Sequence, residues 1–239
     1  MAKNRTPKDK SANTDSRTFL DEEIDLQEQY GKAEAFINSN KNMVLGVVGG
    51  ALLVICGFLA FNSIYIPGQE AEARSQMFVA EQYFAKDSFQ LALNGNDNYP
   101  GFLDIIGDYS GMTQASNLAQ YYAGISYLNL GDYENALSHL SKFSGSDEIV
   151  SSMALGAMGD AHSELGNLDK GISFYKKAAN NSKNEYTGAM FLMKAAAAYE
   201  SKGEAKSAKG LYEQVKKNYP DNNQTRDIDK YIARAEANL

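Results

Sequence analysis

Three stretches of the sequence superimpose when each is aligned on a glycine. They are LAQYYAGISYLNLGDYENALSHLSKF on Gly131, MALGAMGDAHSELGNLDKGISFYKKA on Gly166 and MFLMKAAAAYESKGEAKSAKGLYEQV on Gly203. The glycines are 35 and 37 residues apart. Self-similarity at this period constrains the fold more than any other property of the chain, because a unit of that size cannot bury a hydrophobic face alone and must stack on its neighbours. The copies agree in detail. Five positions after each glycine stands a small residue, Ala136, Gly171 or Ala208, and seven positions before it stands another, Gly124, Gly159 or Ala196. Two antiparallel helices approach closely only where neither side chain exceeds alanine. A ring recurs four positions before the glycine, as Tyr127, His162 and Tyr199, and a large residue nine positions after it, as Leu140, Tyr175 and Tyr212.

At these positions the sequence resembles the tetratricopeptide repeat, a helix–turn–helix unit of about 34 residues. Pro220, after Tyr219, stands where that repeat carries its terminating proline. The expected fold is therefore all-α: one membrane helix followed by a tetratricopeptide-type solenoid of helical hairpins, with three repeats over 115–220. A degenerate earlier copy is expected over 67–114, where Ala80, Tyr83, Phe89 and Ala92 match the offsets and a polar loop and short helix (Gly101 to Tyr109) are inserted. Terminal repeats are atypical because they cap the stack. Residues 221–239 are expected to form the other cap, a helix from Asp227 to Ala237 packing Ile228, Tyr231, Ile232 and Ala235.

Ahead of the repeats, Met43 to Phe61 contains only apolar residues and glycine, and no charge occurs between Lys41 and Glu70. As a helix the run is about 28 Å long, close to the hydrocarbon thickness of a bilayer. The span 43–66 is expected to be an uncleaved signal anchor, since 42 residues precede the run and a cleavable signal has a short basic lead. Cys56 is not read as an acylation site, because Leu53-Val54-Ile55 lacks the small residue such a site needs. Lys3, Arg5, Lys8, Lys10, Arg17, Lys32 and Lys41 precede the anchor, against Arg74 and Lys86 soon after it. The positive-inside bias places the N-terminus in the cytoplasm and the repeats outside. Gly46, Gly50 and Gly57 share one helix face, a pattern that admits a neighbouring membrane helix, although glycine is also common in such helices for no specific reason.

Residues 1–17 carry five basic and two acidic side chains and are expected to be a disordered tail. Residues 18–41 have a helical stripe of Phe19, Leu26, Tyr30, Ala33 and Ile37, with Asp21, Glu22, Glu23, Asp25 and Glu28 on other faces. Such a helix is either a solvated spacer or a docking helix for a cytoplasmic partner.

The net charge of −7 argues against nucleic-acid binding, which needs a basic stripe to neutralise phosphates. No Cys/His/carboxylate cluster has metal-ligand spacing, and no Walker loop, nucleophile elbow or HExxH occurs. His162 occupies the ring position of its repeat, and His139 is expected at the surface. No catalytic residue, cofactor or metal is assigned, and the expected role is binding rather than chemistry. The likeness to tetratricopeptide stacks implies a concave face lined by Leu118, Tyr121 and Ile125, then Met153, Gly156 and Asp160, then Met190, Met193 and Ala197. That face is apolar and rich in methionine, which adapts to varied partners. These residues either line an open groove or are covered by neighbouring helices.

The order of parts carries a closer resemblance. A cytoplasmic arm, one anchor, then QEAEARSQMFVAEQYFAKDSFQLALNG, GFLDII, NLAQYYAGISYLNLGDYENAL and ALGAMGDAHSELG are similar to the YfgM-type family. These are membrane-anchored tetratricopeptide proteins of Gram-negative bacteria, ancillary subunits of the Sec translocon. The resemblance implies attachment to SecYEG and to a periplasmic peptidyl-prolyl isomerase-like chaperone, contact with emerging secreted polypeptides, and residence in the inner membrane with the repeats in the periplasm. An adaptor for another envelope machine, in outer-membrane protein insertion or cell division, and a receptor of reversed topology are the alternatives.

Overall fold

The computed structural model describes residues 29–109, 111–182 and 184–239. The tail expected over 1–17, and Phe19 and Leu26 of the expected stripe, lie outside the described residues. The chain divides into two compact units at Ser63 and Ile64.

In the first unit, residues 29–39 are helical (α1) and end at Asn40, whose side-chain amide and backbone N–H both donate to the Phe36 carbonyl. A second helix, α2, runs Lys41–Ala60 and buries none of its residues. Tyr30, Ala33 and Ile37 of the expected stripe are exposed as well. A π-helix, Phe61–Tyr65, follows. Its wide turn suits the approach to Pro67, which has no N–H to donate and whose ring would crowd the carbonyl four residues back.

The second unit is built from α3 (Ile66–Phe84), α4 (Phe89–Asn94), α5 (Phe102–Tyr109), α6 (Gln114–Asn129), α7 (Tyr133–Leu140), α8 (Glu148–Glu164), α9 (Leu168–Asn181), α10 (Glu185–Ser201), α11 (Ala205–Asn218) and α12 (Ile228–Ala237). Four hairpins pair α3 with α4, α6 with α7, α8 with α9 and α10 with α11. The three aligned copies are the last three hairpins. α5 is the short inserted helix, and α12 covers the final hairpin by packing on α11.

The hairpin turns share one hydrogen-bond scheme. Gly131, Gly166 and Gly203 sit at φ +79°, +76° and +75°. After each, the next residue donates to the carbonyl of the recurring ring residue: Asp132 to Tyr127 at 2.9 Å, Asn167 to His162 at 2.8 Å and Glu204 to Tyr199 at 2.9 Å. Each glycine N–H closes the inner bond, to Leu128, Ser163 and Glu200. This is the Schellman ending, which needs one left-handed residue and so favours glycine. The first hairpin has the same scheme with Asp87 at φ +56°, Ser88 donating to Tyr83 at 2.9 Å and Asp87 to Phe84 at 3.0 Å. Asp tolerates this conformation better than most residues with a Cβ, so the degenerate copy keeps the turn while losing the glycine. The first helix of each later repeat is capped in turn: Thr113, Asp147 and Asn184 accept from Ser116, Val150 and Thr187.

The small positions lie where the helices cross. Ala136, Ala196 and Ala208 are fully buried. A Cβ on Gly124 would lie 2.5 Å from Leu140 Cγ, and one on Gly159 2.6 Å from the Tyr175 ring. Around the first hairpin, α5 brings Phe102 into a stacked contact with Tyr122 of α6 (5.0 Å, 9°), and Phe84 packs edge-on against both. The inserted helix thereby packs against α3, α4 and α6.

Candidate functional site

Each repeat begins with a helix, and among these first helices, α3, α6, α8 and α10, the last three carry every residue expected on the concave face. Leu118, Tyr121, Ile125, Met153, Asp160, Met190 and Met193 are all half-buried. Tyr121 packs against Phe143 at a centroid distance of 5.4 Å, and Met153, Met190 and Met193 pack on the core of the last two hairpins. Asp160 is committed within the protein. It accepts from the Tyr175 hydroxyl at 2.7 Å and pairs with Lys194 at 2.7 Å, tying α8, α9 and α10 together. Gly156 is buried beneath Phe191, while Ala197 is exposed. Of the nine residues expected on this face, seven are thus half-buried, Gly156 is buried and Ala197 is exposed.

A cleft of about 580 Å³ opens at the amino-terminal end of the stack, and of the nine only Leu118 lines it. Its lining includes Met77 and Glu81 of α3, Leu118 of α6, and Phe143, Asp147 and Val150 of the α7–α8 segment. The segment is fixed by Asn117. Its side-chain amide donates to the Ser144 carbonyl at 2.9 Å and its oxygen accepts from the Ser144 N–H at 2.9 Å. Glu70 anchors α3 to α6 by accepting from the N–H groups of Gln114 (2.7 Å) and Ala115 (3.2 Å), and it also pairs with Arg74. Burial works to raise the Glu70 pKa, but Arg74 and those two N–H groups outweigh it and hold the carboxyl below its usual range. Glu81 is the opposite case: burial raises its pKa, and the nearby charge of Arg74 only partly offsets this.

The repeat pattern does not reveal this cleft, because half its lining lies outside the repeat offsets. The Ser144-Gly145-Ser146-Asp147 turn cluster is the visible signal, since it marks a connection long enough to contribute to the lining.

The two histidines sit at equivalent crossings. His162 stacks on Phe174 at 5.3 Å and Tyr127 on His139 at 5.4 Å. His139, expected at the surface, is half-buried with its Nδ1 2.8 Å from Gln120 Oε1, because α7 lies against α6 there. Nδ1 of His162 is buried with no hydrogen-bond partner. Burial first, then Lys170 for His162 and Lys142 for His139, pushes both pKa values below 6.5. Between pH 7 and pH 5 the unfolded chain then binds more protons than the folded one, so stability is full above about pH 6.5 and falls as the pH drops. We expect the melting temperature to decline over that window and His162→Phe to lessen the decline, with His139 accounting for the rest. Melting curves at pH 7, 6 and 5 check this, and an unchanged slope in His162→Phe would contradict it.

Comparison with known proteins agrees with the hairpin geometry. Residues 118–145 and 191–222 match the family described as Tetratricopeptide repeat. These are tetratricopeptide repeats. They correspond to the first and third of the aligned copies, and the copy between them has the same turn and the same tight crossing at Gly159 and Gly171. Two crystal structures of a Podosopora anserina protein assigned as a kinesin light chain, with nearly identical TPR-like repeats, are similar in fold. One, a form carrying a single substitution, aligns with a TM-score of 0.54 at 14% identity, and the other with 0.55 at 15%. Each alignment covers 71% of this chain and 87% of the other. No curated protein matches the sequence. Tetratricopeptide stacks bind other proteins, so the second unit is a protein-interaction scaffold. Among the described residues no group of His, Cys, Asp and Glu is placed to hold a metal ion.

Proposed function

We propose that the chain is a membrane-anchored scaffold whose repeats hold partner proteins beside the bilayer. The carrying observation is α2: a helix long and apolar enough to cross a membrane, with no buried residue, in the same chain as a tetratricopeptide stack. In water its row of Leu, Val, Ile and Phe side chains would be costly, whereas a bilayer covers it. The basic bias of the preceding residues supports a cytoplasmic N-terminus, with the repeats in the periplasm of a Gram-negative cell. The resemblance to the YfgM-type family supports a finer reading. In it, the protein is an ancillary subunit of SecYEG that also holds a peptidyl-prolyl isomerase-like chaperone and helps pass emerging secreted polypeptides to it.

In this reading Gly46, Gly50 and Gly57 meet a membrane partner and the repeats meet a soluble one. No heavy atom lies within 4 Å of a Cβ built on Gly50, so leucine there leaves the protein itself undisturbed. Gly50→Leu is expected to weaken co-purification with SecYEG severalfold while the chaperone is retained. Tyr121→Glu with Met193→Glu, its folding checked by circular dichroism, is expected to do the reverse. Crosslinking in intact membranes followed by identification of the partners is the test. Partners drawn only from outer-membrane insertion or cell-division machines would refute the translocon reading. A reporter fused after Leu239 that is active only in the cytoplasm would refute the topology.

A further inference from the structure

The cleft at the amino-terminal end of the stack joins two properties that rarely share a site. Its lining includes the apolar side chains of Met77, Leu118, Phe143 and Val150. Its remaining charges are mostly negative. Arg74 is already paired with Glu70, whereas Glu81 and Asp147 take part in none of the ion pairs among the described residues. Glu81 is half-buried, and the charge of Arg74, which is shared with Glu70, only partly offsets the cost of withdrawing that carboxylate from water. Asp147, an exposed residue of the lining, uses Oδ1 to cap α8 at 2.8 Å. The volume of about 580 Å³ suits a few side chains and not a folded domain. The loop of residues 144–147 contributes to the lining. The paired hydrogen bonds of Asn117 hold that loop in place before any ligand arrives, which reduces the ordering cost of binding.

We propose that this cleft seats an extended polypeptide segment in which an apolar side chain is flanked by lysine or arginine. The apolar side chain enters between Met77, Leu118 and Phe143, and the flanking cations reach Glu81 and Asp147. The inference rests on the reading of the stack as a protein-binding scaffold, and it adds a second point of capture to the methionine face of α8 and α10.

The test uses the full chain in uncharged detergent and three fluorescein-labelled peptides: Gly-Ser-Lys-Leu-Lys-Ser-Gly, its counterpart with glutamate for lysine, and its counterpart with serine for leucine. Fluorescence anisotropy should show the first binding at least tenfold more tightly than either of the others. Glu81→Gln combined with Asp147→Asn should bring the lysine and glutamate peptides within about twofold of each other. Asparagine keeps the capping oxygen of α8, so this variant retains its helical circular dichroism. Leu118→Glu should reduce binding of the lysine–leucine peptide at least tenfold. Equal affinity of the parent for the lysine and glutamate peptides, an unchanged preference in the double variant, or no binding of any peptide would overturn the inference. In the last case partners recovered by membrane crosslinking would still stand, so the scaffold reading is judged separately.

Discussion

Gly156→Ala is expected to destabilise the stack, although alanine in place of glycine inside a helix ordinarily stabilises by about 1 kcal/mol. Space decides the sign. A Cβ at this position would lie 1.9 Å from Cε1 of Phe191, whose ring is 1% exposed and packed in the core of the last two hairpins. The ring cannot move outward without separating α8 from α10. Overpacking of this kind costs about 1–3 kcal/mol, and for a protein of this size each kcal/mol lowers the melting temperature by about 2–4 °C. Phe191→Leu costs stability alone but makes room for the new methyl. The double variant should therefore lose less than the sum of the two, as expected for residues in contact. Simple additivity in thermal melts would show that Phe191 is not what excludes a side chain at Gly156.

Ala136→Leu and Ala208→Leu are expected to be at least as damaging. Both alanines are fully buried at hairpin crossings. Leucine adds three heavy atoms where a Cβ on the facing Gly124 would already lie 3.2 Å from the Ala136 carbonyl oxygen. The cost is again about 1–3 kcal/mol or more, and in a stack whose stability is a sum of neighbour terms the damage spreads to adjacent repeats. Amide exchange should accelerate in α6 to α8 for Ala136→Leu and in α10 to α12 for Ala208→Leu. Melting temperatures unchanged in both variants would rule out the register.

The repeat register is legible in the sequence because packing dictates it. A crossing admits only glycine or alanine, and a Schellman turn favours glycine, so Gly131, Gly166, Gly203, Ala136 and Ala208 mark the hairpins without any coordinates. The degenerate first hairpin is legible through Ala80 and Tyr83, although nothing in the sequence marks its turn residue, Asp87, as the equivalent of the glycines. The site is far less legible. Helical offsets point Met153, Met190 and Met193 toward the partner-facing side, but the same side chains are half-buried against the core of the last two hairpins. Asp160 reads as an exposed ligand-facing carboxylate until Lys194, 34 residues later, is seen beside it. Repeat offsets also say nothing of connections. Asn117, Phe143 and Asp147 build a cleft through contacts between one helix and a loop that has no counterpart in the other repeats.

The position of that cleft along the chain gives it a timetable. Its lining comes from α3, α6 and the segment ending at Val150, and no side chain of α9, α10, α11 or α12 contributes. The first two hairpins close through partners near in sequence, a topology that folds quickly, and chains fold from the amino-terminal end as they are made. Every lining residue is thus synthesised before α9, but Val150 belongs to α8, whose main packing partner is α9, so the cleft is complete only once the third hairpin has closed.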